Sequence, residues 1–131
     1  EYKVSDNGEP AALIGKGISI YLNVRTYSPR QMTLYVPRRL NQPTLDAGRA
    51  LNRQYISVGG VFSIEQDFDL RYIVVPLGFA RNLFEYRNDE VSALELKTDA
   101  KAGAEKVQAA VEAVMGKDFR VEPLPAERRV L

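Results

Sequence analysis

Neither cysteine nor histidine occurs anywhere in this 131-residue chain. Without cysteine there is no disulfide, no thiolate metal site and no cysteine nucleophile. Without histidine there is no Ser-His-Asp triad and no His-ligated zinc or iron. The two absences remove most familiar catalytic options, but neither fixes the compartment. No stretch approaches the ~20 apolar residues of a membrane-spanning helix, and no signal peptide is visible. Both ends read as cut: the chain starts at Glu1, and Ala126-Glu127-Arg128-Arg129-Val130-Leu131 reads as the first turn of an unfinished helix. Charge of one sign is also missing. The 18 basic and 17 acidic residues leave a net charge of +1, which gives no reason to invoke nucleic acid.

What is present suits a folded domain, or one domain plus a lobe of a second. The hydrophobic fraction of 45% is too high, and the net charge too small, for disorder. Residues 1–4 read as a frayed strand and Asp6-Asn7-Gly8-Glu9-Pro10 as a turn. Ala11-Ala12-Leu13-Ile14 reads as a strand that passes through Gly15 and Gly17 into a short helix ending near Asn23. Those glycines lack the spacing and the Lys-Ser/Thr pair of a phosphate loop, so a strand-to-helix turn is expected.

Met32-Thr33-Leu34-Tyr35-Val36 alternates as a strand and stops at Pro37. Residues 38–52 show little periodicity and read as a long loop. A strand follows over residues 55–58, with a bulge or break at Gly59-Gly60 and a resumption over 61–64. Gln66-Asp67-Phe68-Asp69 reads as a turn. Tyr72-Ile73-Val74-Val75 reads as a buried strand stopped by Pro76. A helix over 77–84 places Leu77, Ala80, Leu83 and Phe84 on one face. Residues 91–97 read as a strand with Leu94 and Leu96 facing one way.

The clearest element is a helix carrying Val107, Ala110, Val111 and Val114 at amphipathic spacing. Glu105 lies near its start and Gly116 follows its last turn. Phe119-Arg120-Val121 reads as a final strand. The fold class expected is α+β with a mixed sheet. A β-rich lobe spans about 25–65 and holds the long loop 37–53. A partial α/β lobe, strand-helix-strand-helix-strand, spans about 66–124, and 125–131 starts a helix.

Carboxylates are the only conventional catalytic groups in number. Glu65, Asp67 and Asp69 lie close in sequence, as do Glu85, Asp89 and Glu90. A paired-carboxylate hydrolase needs two acids facing one cleft, with Asp67 and Glu90 as the candidates. The commoner role of Asp in such a turn is to cap backbone amides. Asp67-Phe68-Asp69 lacks the third acidic ligand and the glycine of a calcium loop.

Arg38, Arg39, Arg49 and Arg53 bracket the long loop. They form either a docking patch for an anionic or protein partner or, more commonly, a solvated loop with weak salt bridges. Tyr21, Tyr27, Tyr35, Tyr55, Phe62 and Tyr72 either line a hydrophobic groove or fill a small β-rich core.

The motifs also occur in a recognisable order. Val58-Gly59-Gly60-Val61-Phe62-Ser63 is followed by Asp67-Phe68-Asp69, then by Val75-Pro76-Leu77 with Ala80 and Leu83. Asp89-Glu90-Val91-Ser92-Ala93-Leu94-Glu95-Leu96-Lys97 comes next, and then the amphipathic helix with Gly116-Lys117-Asp118-Phe119. From about Ala11 onward this order resembles the extracytoplasmic domain of lipoprotein-releasing permeases. These are the LolC/LolE-like members of the FtsX-like ABC transporter permease family, related to the MacB-like periplasmic core domain. The excursion over 38–52 resembles variants from Bacteroidetes-type bacteria.

The resemblance implies a periplasmic domain of an inner-membrane protein, with one membrane helix upstream and three after it. It implies a second permease subunit and a cytoplasmic ATPase as partners, and envelope cargo, lipoproteins among it, released or exported by rigid-body movement. It implies no catalysis and no cofactor. It assigns no functional residue to this chain; residues 38–52 are only a positional candidate for contact with a periplasmic carrier. The competing readings are a secreted or surface-anchored binding module without catalysis, and the carboxylate hydrolase.

Overall fold

The computed structural model describes residues 5–6, 8–26, 28–39 and 46–123. The expected strand over 1–4, the helix start over 125–131, Tyr27 and the loop centre over 40–45 lie outside them. The chain divides into two compact units, Glu1–Ser92 and Ala93–Leu131.

The first unit is α+β around a five-stranded mixed sheet. In chain order its elements are β1 (Ser5–Asp6), β2 (Glu9–Gly15), α1 (Lys16–Leu22), β3 (Met32–Pro37), α2 (Ala47–Ala50), β4 (Leu51–Phe62), α3 (Gln66–Arg71), β5 (Ile73–Val74) and α4 (Leu77–Phe84). The sheet order is β1-β2-β4-β3, and β5 also pairs with β2. The β2–β4 pair is parallel, while β1–β2, β2–β5 and β3–β4 are antiparallel.

Local chemistry sets most boundaries. Asn23, one of the few side chains that tolerate left-handed backbone, closes α1 with φ 50°. Its N–H bonds the Ile20 carbonyl, and the Ser19 hydroxyl donates to the Val24 carbonyl at 2.7 Å. Pro37 is the last residue of β3, opposite Leu51. Gly59 is the bulge: Ala12 pairs with Val58 but Leu13 pairs with Gly60, so one residue of β4 is left over.

The bulge decides which face each β4 side chain takes. Cross-strand partners share a face, so Ile56 and Val58 join Ala12 on one side. Beyond Gly59 it is Val61 that joins Ile14 there, while Phe62 joins Gly15 on the other. The first side holds the core, with Ala12, Ile14, Met32, Ile56 and Val58 packed against Phe79 and Leu83 of α4. On the second side Phe68 of α3 sits between Phe62, at 5.7 Å between ring centroids, and Tyr72, stacked at 4.2 Å.

Several expectations are corrected. Residues 46–53 are not loop: Asp46 caps the helical turn α2, accepting from Gly48 N–H at 2.9 Å, and β4 starts at Leu51. Asn52 and Gln54 look too polar for an inward strand face, but Asn52 is satisfied by donating to the Leu83 carbonyl at 2.8 Å. Residues 66–71 form a helix rather than a turn, ending where Tyr72 N–H bonds the Phe68 carbonyl. The buried face of α4 is Phe79 and Leu83; Leu77 and Phe84 are exposed.

The second unit contains a 3-10 turn, Ala100–Ala102, and helix α5, Ala104–Met115, which stops at Gly116 with φ 77°. Gln108 of α5 donates to the Val121 carbonyl at 3.2 Å and holds the returning chain. The strands expected at 91–97 and 119–121 are absent. Alternation alone makes no ladder, and residues 91–97 are exposed on both sides.

Candidate docking surface

The four arginines singled out in the sequence do not act together. The Arg38 guanidinium grips Glu85 Oε1 with two N–H groups, at 2.7 and 3.1 Å. Arg39 binds Glu90 Oε1 at 2.6 Å and lies over the Tyr86 ring at 4.4 Å. The other oxygen of Glu90 accepts from Arg87 N–H at 3.2 Å, and Arg81 bonds the Glu90 carbonyl. These contacts tie the end of β3 to the segment after α4. Glu85 adopts a left-handed conformation, φ 57°, to close that helix.

Electrostatics follow the contacts. The hydrogen bond from Arg39, then the Arg87 N–H, hold the Glu90 carboxyl below the usual glutamate range. Glu85 raises Arg38, and Glu90 raises Arg39, through the same hydrogen bonds. Arg38, Arg39 and Glu85 are solvent-exposed and Glu90 is half-buried, so the pairs position the segment more than they stabilise it.

Arg49 and Arg53 are different. Both are exposed, and neither meets a carboxylate among the described residues. Arg53 stands on β4 directly opposite Tyr35, and Thr33 stands opposite Tyr55. Tyr35, Arg53 and Tyr55 therefore share the face of the β3–β4 ribbon turned away from α4. Sequence reasoning named these tyrosines as groove or core. They are neither: both are more than half exposed, and Tyr21 more so. The usable signal was parity, since odd-numbered residues of β3 and of β4 before Gly59 point outward.

Four of the six candidate carboxylates hold structural contacts. Asp69 is buried, with Oδ2 accepting from the Ser63 hydroxyl at 3.0 Å and Oδ1 from Ile64 N–H at 2.9 Å. Glu65 and Asp67 are exposed beside it, Asp89 pairs with Arg87 at 3.5 Å, and Glu85 and Glu90 hold arginines. The described residues contain no group of three potential metal ligands. Gly15 and Gly17 serve packing. A Cβ on Gly15 would lie 2.5 Å from both the carbonyl carbon and the Cα of Asp69, so α3 can rest on the strand-to-helix turn only without one.

No family model matches the chain, and no curated protein or solved structure is significantly similar to it.

In the second unit the apolar stripe of α5 is open. Val107, Ala110, Val111, Val114 and Met115, with Leu96 and Ala102, line a groove of about 530 Å³. No residue of α5 is buried.

Proposed function

We propose that the chain is a periplasmic domain of an FtsX-like ABC transporter permease, one that converts ATP-driven movement into release or export of envelope cargo. The observation that carries the reading is the order of motifs from Gly15 to Phe119. They fall at structural junctions: Gly60-Val61-Phe62-Ser63 at the end of β4, Phe68-Asp69 in the helix packed beside it, Val75-Pro76-Leu77 at the start of α4, and Gly116 at the end of α5.

The packing of the first unit supports a part that moves as one piece. In the first unit helices pack on both sides of β2, the Gly15–Asp69 approach leaves no slack, and two ion pairs pin the segment after α4. Force entering such a body is transmitted without rearranging it, because close-packed interiors deform little. The role asks for no covalent step from this chain. Its exposed apolar side chains offer contact area for the second permease subunit and for cargo.

Reading the gene on either side of the chain tests this. The expected result is one segment of ~20 apolar residues upstream and further such segments soon after Leu131. Flanks that carry only a cleavable signal or a surface anchor would replace the transporter with a secreted binding module.

A further inference from the structure

We infer that the outward face of the β3–β4 ribbon, centred on Tyr35, Arg53 and Tyr55, docks a polypeptide segment in which carboxylates alternate with apolar side chains. Ladder register places these three side chains together: Tyr35 is directly opposite Arg53, and Tyr55 is the next outward residue along β4. Leu51 extends the face at its other end, opposite Pro37. Tyr35 is 58%, Tyr55 54% and Leu51 40% exposed, and no described helix covers them.

The rings are not engaged with one another. Among the described residues the ring contacts are Phe62–Phe68, Phe68–Tyr72 and Phe84–Tyr86, with Arg39 over Tyr86. An outward sheet face that needed only solubility would be polar. This one combines tyrosine and arginine, the residue types that anchor protein interfaces because they bring large area with a directed donor.

Charge selects the occupant. Arg53 stands in the centre of the face, Arg30 precedes one strand and Arg49 the other, and none of the three is paired with a described carboxylate. The acid at that end of the ribbon, Asp46, is the cap of α2 and accepts from Gly48 N–H. The outward positions 35, 51, 53 and 55 thus carry apolar, phenolic or cationic side chains and no acid. An extended acidic segment matches this face, because its alternate side chains can lie on the tyrosines while its carboxylates reach the guanidinium as a forked pair.

The inference does not depend on the transporter reading, since it needs neither a membrane nor an ATPase. The test is titration of the ¹⁵N-labelled full chain with a soluble peptide alternating glutamate with leucine and phenylalanine. A matched peptide with lysine for glutamate and vesicles of phosphatidylglycerol are the comparisons. The acidic peptide is expected to shift amides of residues 33–37 and 51–57 saturably. Arg53→Glu should weaken it about tenfold or more, and Tyr35→Ala and Tyr55→Ala should each weaken it, with the rest of the spectrum unchanged. The inference is overturned by an absence of shifts, shifts elsewhere, equal binding of the lysine peptide, or indifference to Arg53→Glu. Vesicles that move these amides when the acidic peptide does not would reassign the face to anionic lipid.

Discussion

Gly15→Ala tests the packing argument most directly. The backbone at Gly15 is extended, φ −65° and ψ 149°, so alanine meets no conformational penalty there. All the cost is steric. The new methyl would sit 2.5 Å from two backbone atoms of Asp69, and the obstacle is main chain that cannot rotate aside. Restoring ordinary contact requires α3 to retreat by roughly 1 Å. Retreat stretches the bonds from Ile64 N–H and the Ser63 hydroxyl to Asp69 and loosens Phe68 from Phe62. Overpacking costs about 1–3 kcal/mol, and weakening two bonds to a carboxylate adds about 1 kcal/mol or more. The expected loss is therefore about 2–4 kcal/mol.

Gly17→Ala is the internal control two residues away. There the new methyl mainly meets Leu70, at Cδ2 and Cγ, a half-exposed side chain that can swing out; the Asp69 carbonyl oxygen at 3.3 Å must give only a few tenths of an ångström, and α1 gains about 1 kcal/mol of helix propensity. Its net change should stay within about 1 kcal/mol. Urea unfolding followed by tyrosine fluorescence suits the comparison, because all seven tyrosines precede Ser92 and report on the first unit alone. Equal stability of the two variants, or an undamaged Gly15→Ala, would refute the claim that α3 rests on bare backbone.

Asp69→Ala should cost about 2 kcal/mol by orphaning Ile64 N–H. Asp69→Asn should recover more than half of that, since an amide can accept from Ile64 and donate to Ser63; identical urea midpoints for the two would contradict the cap. Ile56→Ala empties a site that is 1% exposed and should cost about 2–5 kcal/mol, read by the same fluorescence midpoint. Glu90 has a folded-state pKa below its unfolded one, so its contribution is complete above the ordinary glutamate range and disappears as pH falls through the folded value. Carbon-detected NMR should show Glu90 titrating below the usual glutamate range, with the Tyr86 ring shifting in step; titration in the ordinary range with a stationary Tyr86 would remove the Arg39 clamp.

Features written in local chemistry were legible in the sequence. The turn at Gly15, the helix ending at Asn23, the stop at Pro37, the bulge at Gly59 and the cap at Gly116 each depend on a few adjacent residues. Features that depend on distant partners were not. The inward polar residues of β4 make sense only once the Leu83 carbonyl, 31 residues later, is beside Asn52. The helix at 66–71 has little apolar periodicity and is held by Asp69 and by the stack of Phe68 on Tyr72. The converse failure is residues 91–97, where strand-like alternation finds no neighbouring strand among the described residues. At the candidate site, four clustered arginines suggested one patch. Their partners, Glu85 and Glu90, lie 47 and 51 residues from Arg38 and Arg39, a distance no local pattern reveals.

Helix α5 carries a thermodynamic consequence. Twelve residues with no buried side chain make a segment near the limit of what helix formation sustains by itself in water. A helix at that limit melts gradually when only its own turns hold it. A far-ultraviolet melt, which counts every peptide group, and a tyrosine melt, which counts only the sheet unit, need not share a midpoint. A single fitted free energy for the whole chain would average two different processes.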